Sequence, residues 1–241
     1  MKFLQVNQVT KRFGGLVAND KISFEMSGGE ILGIVGPNGA GKTTLFNCIS
    51  GFYRVNSGGI HFEGRDITNA PPYAVCARGV ARTFQIVQNF EKMTLVENIM
   101  VGAFLKWRRK GKAEEEALEV LRFIDLLDKR NVVARHLSPP EKRRLGLGMA
   151  LSTQPKLLML DETMAGLTPV EIDEVLDLVR KIRATGVGVI VIEHVMRAVM
   201  TISERIIVLD SGKKIAEGSP DEIAHNEGVI RAYLGRSYAG G

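Results

Sequence analysis

Residues 36–44 read GPNGAGKTT. The stretch fits the spacing G-x-x-x-x-G-K-[ST], with Gly36, Gly41, Lys42 and Thr43 at the fixed positions. The chemistry asks for these residue types. Glycines let the backbone curl until successive N–H groups point at phosphate oxygens. The lysine adds a mobile cation for the β and γ phosphates, and the threonine offers a hydroxyl to Mg²⁺. Glycine-rich turns also arise by chance, but here the apolar run ILGIV (31–35) precedes the loop and the helix-compatible TTLFNCIS follows it. That strand–loop–helix frame is the context the motif requires, and the helix turns its positive end to the same anion.

Two further segments are expected at the same edge. Asp161 ends the apolar strand LLMLD (157–161) and Glu162 follows. Ligands of open parallel sheets sit beyond the carboxyl ends of the strands. Asp161 is therefore placed to reach Mg²⁺ through water, and Glu162 to polarise an attacking water. A surface carboxylate or a helix-capping acid is the plainer alternative for Glu162. His194 follows VGVIVIE (187–193). A single histidine is more often structural than catalytic, yet a strand's carboxyl end brings this one to the phosphate edge, where it is expected to touch the γ-phosphate or the water.

Strands are expected at 22–24, 31–35, 60–62, 80–84, 157–161, 187–193 and 205–209, with residues 2–35 read as short strands. Helices are expected over 41–50, within 95–107 (LVENIMVGAFLKW) and 113–129 (AEEEALEVLRFIDLLDK), from EKRRLGLGMALS (141–152), and from Pro169. The last of these opens with Thr168, Pro169 and Glu171, an N-cap, a first-turn proline and a capping-box acid. Alternating strands and helices imply an α/β core. The block from 94 to 154 reads as a helical insert, dividing the chain into 1–93 plus 155–241 and 94–154.

Composition narrows the class. The 241 residues are 45% hydrophobic, enough for a true core, so disorder and fibre are excluded. No stretch approaches the ~18 apolar residues that span a bilayer, and the start MKFLQVNQVTKRFGG lacks a secretory signal's apolar run. Cys48 and Cys76 have no metal-ligand spacing and read as free thiols, most simply small core residues. The net charge of +5 fits a solvated surface, a nucleic-acid footprint, or attraction to a phosphate ligand or an anionic surface.

With the loop, LLMLDE and His194 in this order, the chain resembles the ATP-binding subunit of an ABC transporter over about residues 3–235. RFGGL (12–16), NCISGFYRVNSG (47–58), RTFQ (82–85), MTLVENI (93–99), IEH (192–194) and VIRAYLG (229–235) resemble the subfamily that powers uptake of branched-chain amino acids, with close relatives handling urea or other amides. The resemblance implies a P-loop NTPase core of the ABC ATPase type, a small N-terminal antiparallel β part and a helical subdomain carrying the signature sequence. ATP and Mg²⁺ are the implied cofactors.

It further implies that Phe13 stacks on adenine and that Gly36, Pro37, Asn38, Gly39, Ala40, Gly41, Lys42, Thr43 and Thr44 wrap the phosphates. Gln85 reaches Mg²⁺ or the water and senses the membrane subunit. Ser138 is the signature serine, acting across a dimer on the opposite chain's nucleotide, and AGLT (165–168) crosses between the subunits. Implied partners are transmembrane permease subunits, a second ATP-binding subunit (the same chain or a paralogue) and, indirectly, an external solute-binding protein. The implied location is peripheral, on the cytoplasmic face of the inner membrane.

The chain departs from the family pattern at LSPPE (137–141), where L-S-x-G-Q is usual, and at Thr163, where proline is usual. Pro140 has no N–H to offer a phosphate, and Glu141 brings an acid toward an anion. A signature that supports hydrolysis weakly is expected. The basic run KWRRKGK (106–112) reads either as a solvated loop or as contact with anionic lipid or an acidic membrane-subunit loop. Three other classes share parts of this pattern. An ABC-type ATPase on nucleic acid or ribosomes usually needs two cassettes or a long coiled-coil insert, so no nucleic-acid partner is expected. A small-molecule kinase needs an acceptor pocket and lid. A poorly hydrolysing regulatory subunit gains support from Pro140.

Overall fold

The computed structural model describes residues 2–83, 89–164 and 166–234. β1 (Leu4–Phe13) and β2 (Leu16–Met26) form an antiparallel pair. β3 (Ile31–Val35) leaves them for a second sheet, and β4 (Ser57–Phe62) and β5 (Arg65–Asp66) return, giving the order β2-β1-β4-β5. The second sheet adds β6 (Val80–Arg82), β7 (Leu157–Asp161), β8 (Gly188–Ile192), β9 (Arg205–Asp210) and β10 (Lys213–Gly218), in the order β10-β9-β3-β8-β7-β6. Its pairings are parallel except for the β9–β10 hairpin. The helices are α1 (Lys42–Ile49), α2 (Pro72–Ala77), α3 (Leu95–Ala103), α4 (Lys110–Phe123), α5 (Pro139–Leu151), α6 (Pro169–Ala184), α7 (Met196–Ile202), α8 (Pro220–Ala224) and α9 (Glu227–Leu234).

The continuous apolar strands are sandwiched, as a parallel sheet requires. Period-two alternation sends Leu158, Leu160, Val189 and Val191 to one face, where they share a core with α3, α4, α5 and α6. Leu157, Met159, Ile190 and Ile192 point to the other, against α1 and the antiparallel sheet. Cys48 lies in that second core, its thiol pushed up to about 11 by burial, and both cysteines are free. The Thr168–Glu171 capping box starts α6 as its sequence predicts.

Three expectations need correction. Residues 2–35 are not all short strands, since β1 and β2 run for ten and eleven residues. Their polar exposed positions and bulged register break the apolar alternation that marks a strand. The helix expected through Trp107 stops at Ala103, because Leu105, Lys106 and Trp107 bond back to Gly102 and Ala103 as turns. The next helix covers 110–123 rather than 113–129, ended by Ile124 and by Asp125 at φ 57. The strand at 80–84 is seen over 80–82, residue 84 lying outside the described part. Among the described residues no helix is long and apolar enough to cross a membrane.

Candidate active site

Strand register brings the three sequence segments to one edge. Ile34 of β3 is level with Ile192 of β8, and Ile192 with Asp161 of β7. Glu162 stands one residue further along and Gly36 and His194 two, and the Glu162 N–H extends the ladder to the Ile192 carbonyl at 2.9 Å. The switch in strand order beside β3 makes this the place where a parallel sheet opens a ligand crevice.

The loop is shaped by close backbone approach. A Cβ on Gly36 would lie 2.1 Å from the Leu209 carbonyl oxygen, and one on Gly41 would lie 2.2 Å from that of Ala18. Gly41 also takes φ 98 as the residue preceding α1, a conformation that side chains disfavour. Lys42 is 5% exposed, and its ammonium donates to the Gly36 and Pro37 carbonyls at 2.7 and 3.1 Å. Burial pulls its pKa down, against the pull of Glu162 and Asp161.

On the far side Asp161 is buried and paired. Arg82 Nη2 lies 3.0 Å from Asp161 Oδ2, while Nη1 donates to Asn47 Oδ1 at 2.6 Å and to Ser50 Oγ at 3.2 Å. One guanidinium thus ties β6 to β7 and to the end of α1. Burial raises the Asp161 pKa, and Arg82 is the first of the charges that oppose the rise.

Glu162 has a left-handed backbone, φ 50, which turns its side chain out of the sheet edge. Its Oε1 stands 2.7 Å from His194 Nε2. The neighbouring Glu193 is fully enclosed. Its Oε1 accepts from the Met164 N–H at 2.8 Å and the Thr163 hydroxyl at 3.2 Å, fastening the turn after Glu162 to β8.

Phe13, Asn38, Gly39, Ala40, Gly41, Lys42, Thr43, Thr44, Glu162 and His194 line one cleft of about 510 Å³. Phe13 is no core residue. It is 44% exposed, edge-on to Tyr53 with ring centroids 5.2 Å apart, and the Lys11 ammonium stands 4.7 Å from its own centroid. Gly36 and Pro37 form the floor of the loop beneath Lys42. Asp161 sits behind the cleft wall with Arg82. Ser138 lies outside this cleft, at the start of α5, where Glu141 accepts from its N–H and its hydroxyl at 2.9 Å each. Gln85 and Ala165 lie outside the described residues.

Sequence reasoning missed Leu16, Val17, Ala18 and Ser211, which complete the lining, and gave no role to Arg82 or Glu193. RTFQ and IEH were the only sequence signals for those two, because their partners are distant in the chain.

No cluster of three His, Cys, Asp or Glu that could hold a metal exists among the described residues. Mg²⁺ needs no such cluster, because it keeps several waters and takes one or two protein oxygens plus substrate phosphates. The Thr43 hydroxyl in the cleft and the Asp161 carboxylate beside Lys42 fit such a site.

A phosphate loop at the crevice of this mixed sheet, with acids at the end of β7 one strand beyond β8, defines a P-loop nucleotide hydrolase. The model of the ABC transporter family matches residues 19–165, and that of the branched-chain amino acid ATP-binding cassette transporter matches residues 213–239. The high-affinity branched-chain amino acid transport ATP-binding protein LivG of Salmonella typhimurium is 42% identical, and BraF of Pseudomonas aeruginosa 38%, each over 97% of this chain and 98% of the relative. A crystal structure of an ATP-binding cassette of an ABC transporter in its ADP conformation superposes with a TM-score of 0.89 at 30% identity, covering 98% of this chain and 99% of that one. The chain belongs to the ABC transporter family, as an ATP-binding, ATP-hydrolysing subunit.

Proposed function

We propose that this chain hydrolyses ATP to power an importer of branched-chain amino acids. The observation that carries the reading is a resemblance to the branched-chain subunits along nearly the whole chain, including the separate match at 213–239. In this reading Phe13 stacks on adenine and residues 36–44 wrap the phosphates. Lys42 meets the β and γ phosphates, and Thr43, Asp161 and Gln85 serve Mg²⁺, which supplies charge neutralisation on the phosphates when bound. Glu162 orients and deprotonates the attacking water, and His194, 2.7 Å away, holds Glu162 and reaches the γ-phosphate. The α/β part (1–93 and 155–241) binds the nucleotide, and the helical part (94–154) presents Ser138 to a second ATP-binding subunit. Permease subunits form the channel, an external binding protein delivers the solute, and the chain sits peripherally on the cytoplasmic face of the inner membrane.

The test is ATP-driven uptake by vesicles holding the chain with its permease subunits and binding protein. Leucine, isoleucine and valine are expected to accumulate and to compete with one another. Uptake of urea or other amides in their place would overturn the substrate assignment.

The start of α5 supports a second element, a weak signature. The first turn of a helix binds anions through its free N–H groups. Here Pro139 and Pro140 fill the first two helical positions, and neither has an N–H. Glu141, held below the usual carboxylate range by its pair with Lys129, caps Ser138. Pro140→Gly with Glu141→Gln restores a donor and removes the negative charge, and glutamine still suits a capping box. Turnover of the assembled transporter is expected to rise roughly tenfold or more. No rise would show that the LSPPE sequence does not limit hydrolysis.

A further inference from the structure

The chain beyond α3 forms a hook whose chemistry the ATPase site does not use. Val101, Phe104 and Leu105 are 42%, 43% and 43% exposed. Lys106, Arg108, Arg109 and Lys110 follow, all exposed, and none of the four makes an ion pair among the described residues. The nearby acids are engaged elsewhere. Glu97 caps α3, accepting from the Thr94 N–H and hydroxyl at 2.7 Å each, and lies within electrostatic reach of Lys110. Glu115 and Glu116 face Lys112 at 3.0 and 3.9 Å, and Glu116 also accepts from Gln154. Glu114 is the one exposed acid left in this stretch without an ion pair among the described residues.

Trp107 pins the hook down. Its ring packs partly buried against the helical core, with the Lys112 ammonium 5.5 Å from its centroid. The exposed side chains on either side are thus held at the surface by a fixed point. Lys106 is also within electrostatic reach of Cys76, which lines a groove of about 390 Å³ with Phe52 and Tyr73. Phe52 and Tyr73 are 47% and 77% exposed.

Single exposed apolar residues are ordinary. Three within five positions, abutting four unpaired cations, have the composition of a segment that lies in a lipid headgroup layer. The cations match anionic headgroups in sign, and the apolar side chains give the depth that charge alone does not.

We propose that residues 101–110 are a lipid foot, with Phe104 and Leu105 entering the headgroup region of an anionic bilayer and Lys106, Arg108 and Arg109 pairing with its phosphates. The proposal rests on the reading of the chain as a peripheral membrane subunit, and adds a contact made by the chain itself rather than through a permease.

The experiment is flotation of the full chain with vesicles of phosphatidylcholine alone and of phosphatidylcholine mixed with phosphatidylglycerol. Binding is expected only to the mixed vesicles, weakening as salt screens the charges. Lys106→Gln with Arg108→Gln and Arg109→Gln should weaken partitioning on the order of a hundredfold, and Phe104→Ser with Leu105→Ser roughly tenfold. Both variants should keep the parent's unfolding temperature and basal ATP turnover, since these side chains are exposed. No binding to the mixed vesicles, or binding that the charge variant leaves unchanged, overturns the proposal. So does a charge variant that loses only assembly with permease subunits in phosphatidylcholine, which would make the partner an acidic protein segment. A chain that floats as expected yet drives no amino-acid uptake upholds the foot and refutes only the transport reading.

Discussion

Glu162→Gln leaves the chain able to bind ATP and unable to turn it over. In the assembled transporter the rate is expected to fall between about 10² and 10⁴-fold, the range that a positioned general base contributes. Glutamine keeps the shape and can still meet His194, which lies 2.7 Å from Glu162 Oε1, but it cannot take a proton from water. The phosphate loop keeps its shape, because the Lys42 ammonium donates to the Gly36 and Pro37 carbonyls. ATP affinity should therefore stay within a few-fold of the parent, and the ATP-bound dimer should accumulate. The measurements are steady-state phosphate release and nucleotide binding on the same preparation. Turnover near the parent's rate would remove Glu162 from the chemistry.

Arg82→Met is expected to give the largest loss of stability. Its side chain and that of Asp161 are 9% and 4% exposed, so the pair is buried. Removing one partner from such a pair strands the other charge, at a cost of about 3–5 kcal/mol. In a chain of this size that lowers the unfolding midpoint by roughly 10 °C. Asn47 and Ser50 lose a donor at the same time. Adding Asp161→Asn to Arg82→Met should recover part of the loss, because no unpaired buried charge then remains. Thermal unfolding of the two single variants and the double variant closes the cycle. Strict additivity would mean that Arg82 and Asp161 do not stabilise one another. Arg82→Lys should fall between, since a point charge cannot span Asp161, Asn47 and Ser50 together.

The parts of the site that were legible in the sequence are those written locally. GPNGAGKTT states its own geometry, and LLMLDE and VGVIVIEH each announce a buried strand and the residue at its end. The pairing of ends was also predictable, since all three were assigned to the same carboxyl edge. Arg82 was not legible, because its role exists only once β6 lies beside β7, Arg82 and Asp161 being 79 positions apart in the chain. Glu193 was hidden for a related reason. Following a hydrophobic strand it reads as an edge acid, and only the fold shows the Thr163–Met164 turn closing over it. β1 and β2 read short because about half of their side chains are polar and bulges shift the alternation. The helix limits around the 104–109 turn escaped because its basic residues suit a helix as well as a loop.

The helical layer and the sheet share one apolar cluster, with Leu95, Ile99, Leu121 and Leu145 against Ala81, Leu158, Leu160, Val189 and Val191. This bears on chimeras between paralogues. Transplanting residues 94–154 as a cassette would set a foreign helical underside on a sheet face shaped for another, and close-packed interiors tolerate such mismatch poorly. A working exchange should carry those five sheet residues along with the helices. The portable unit is then an interface of discontinuous residues, although the chain draws the insert as one uninterrupted stretch.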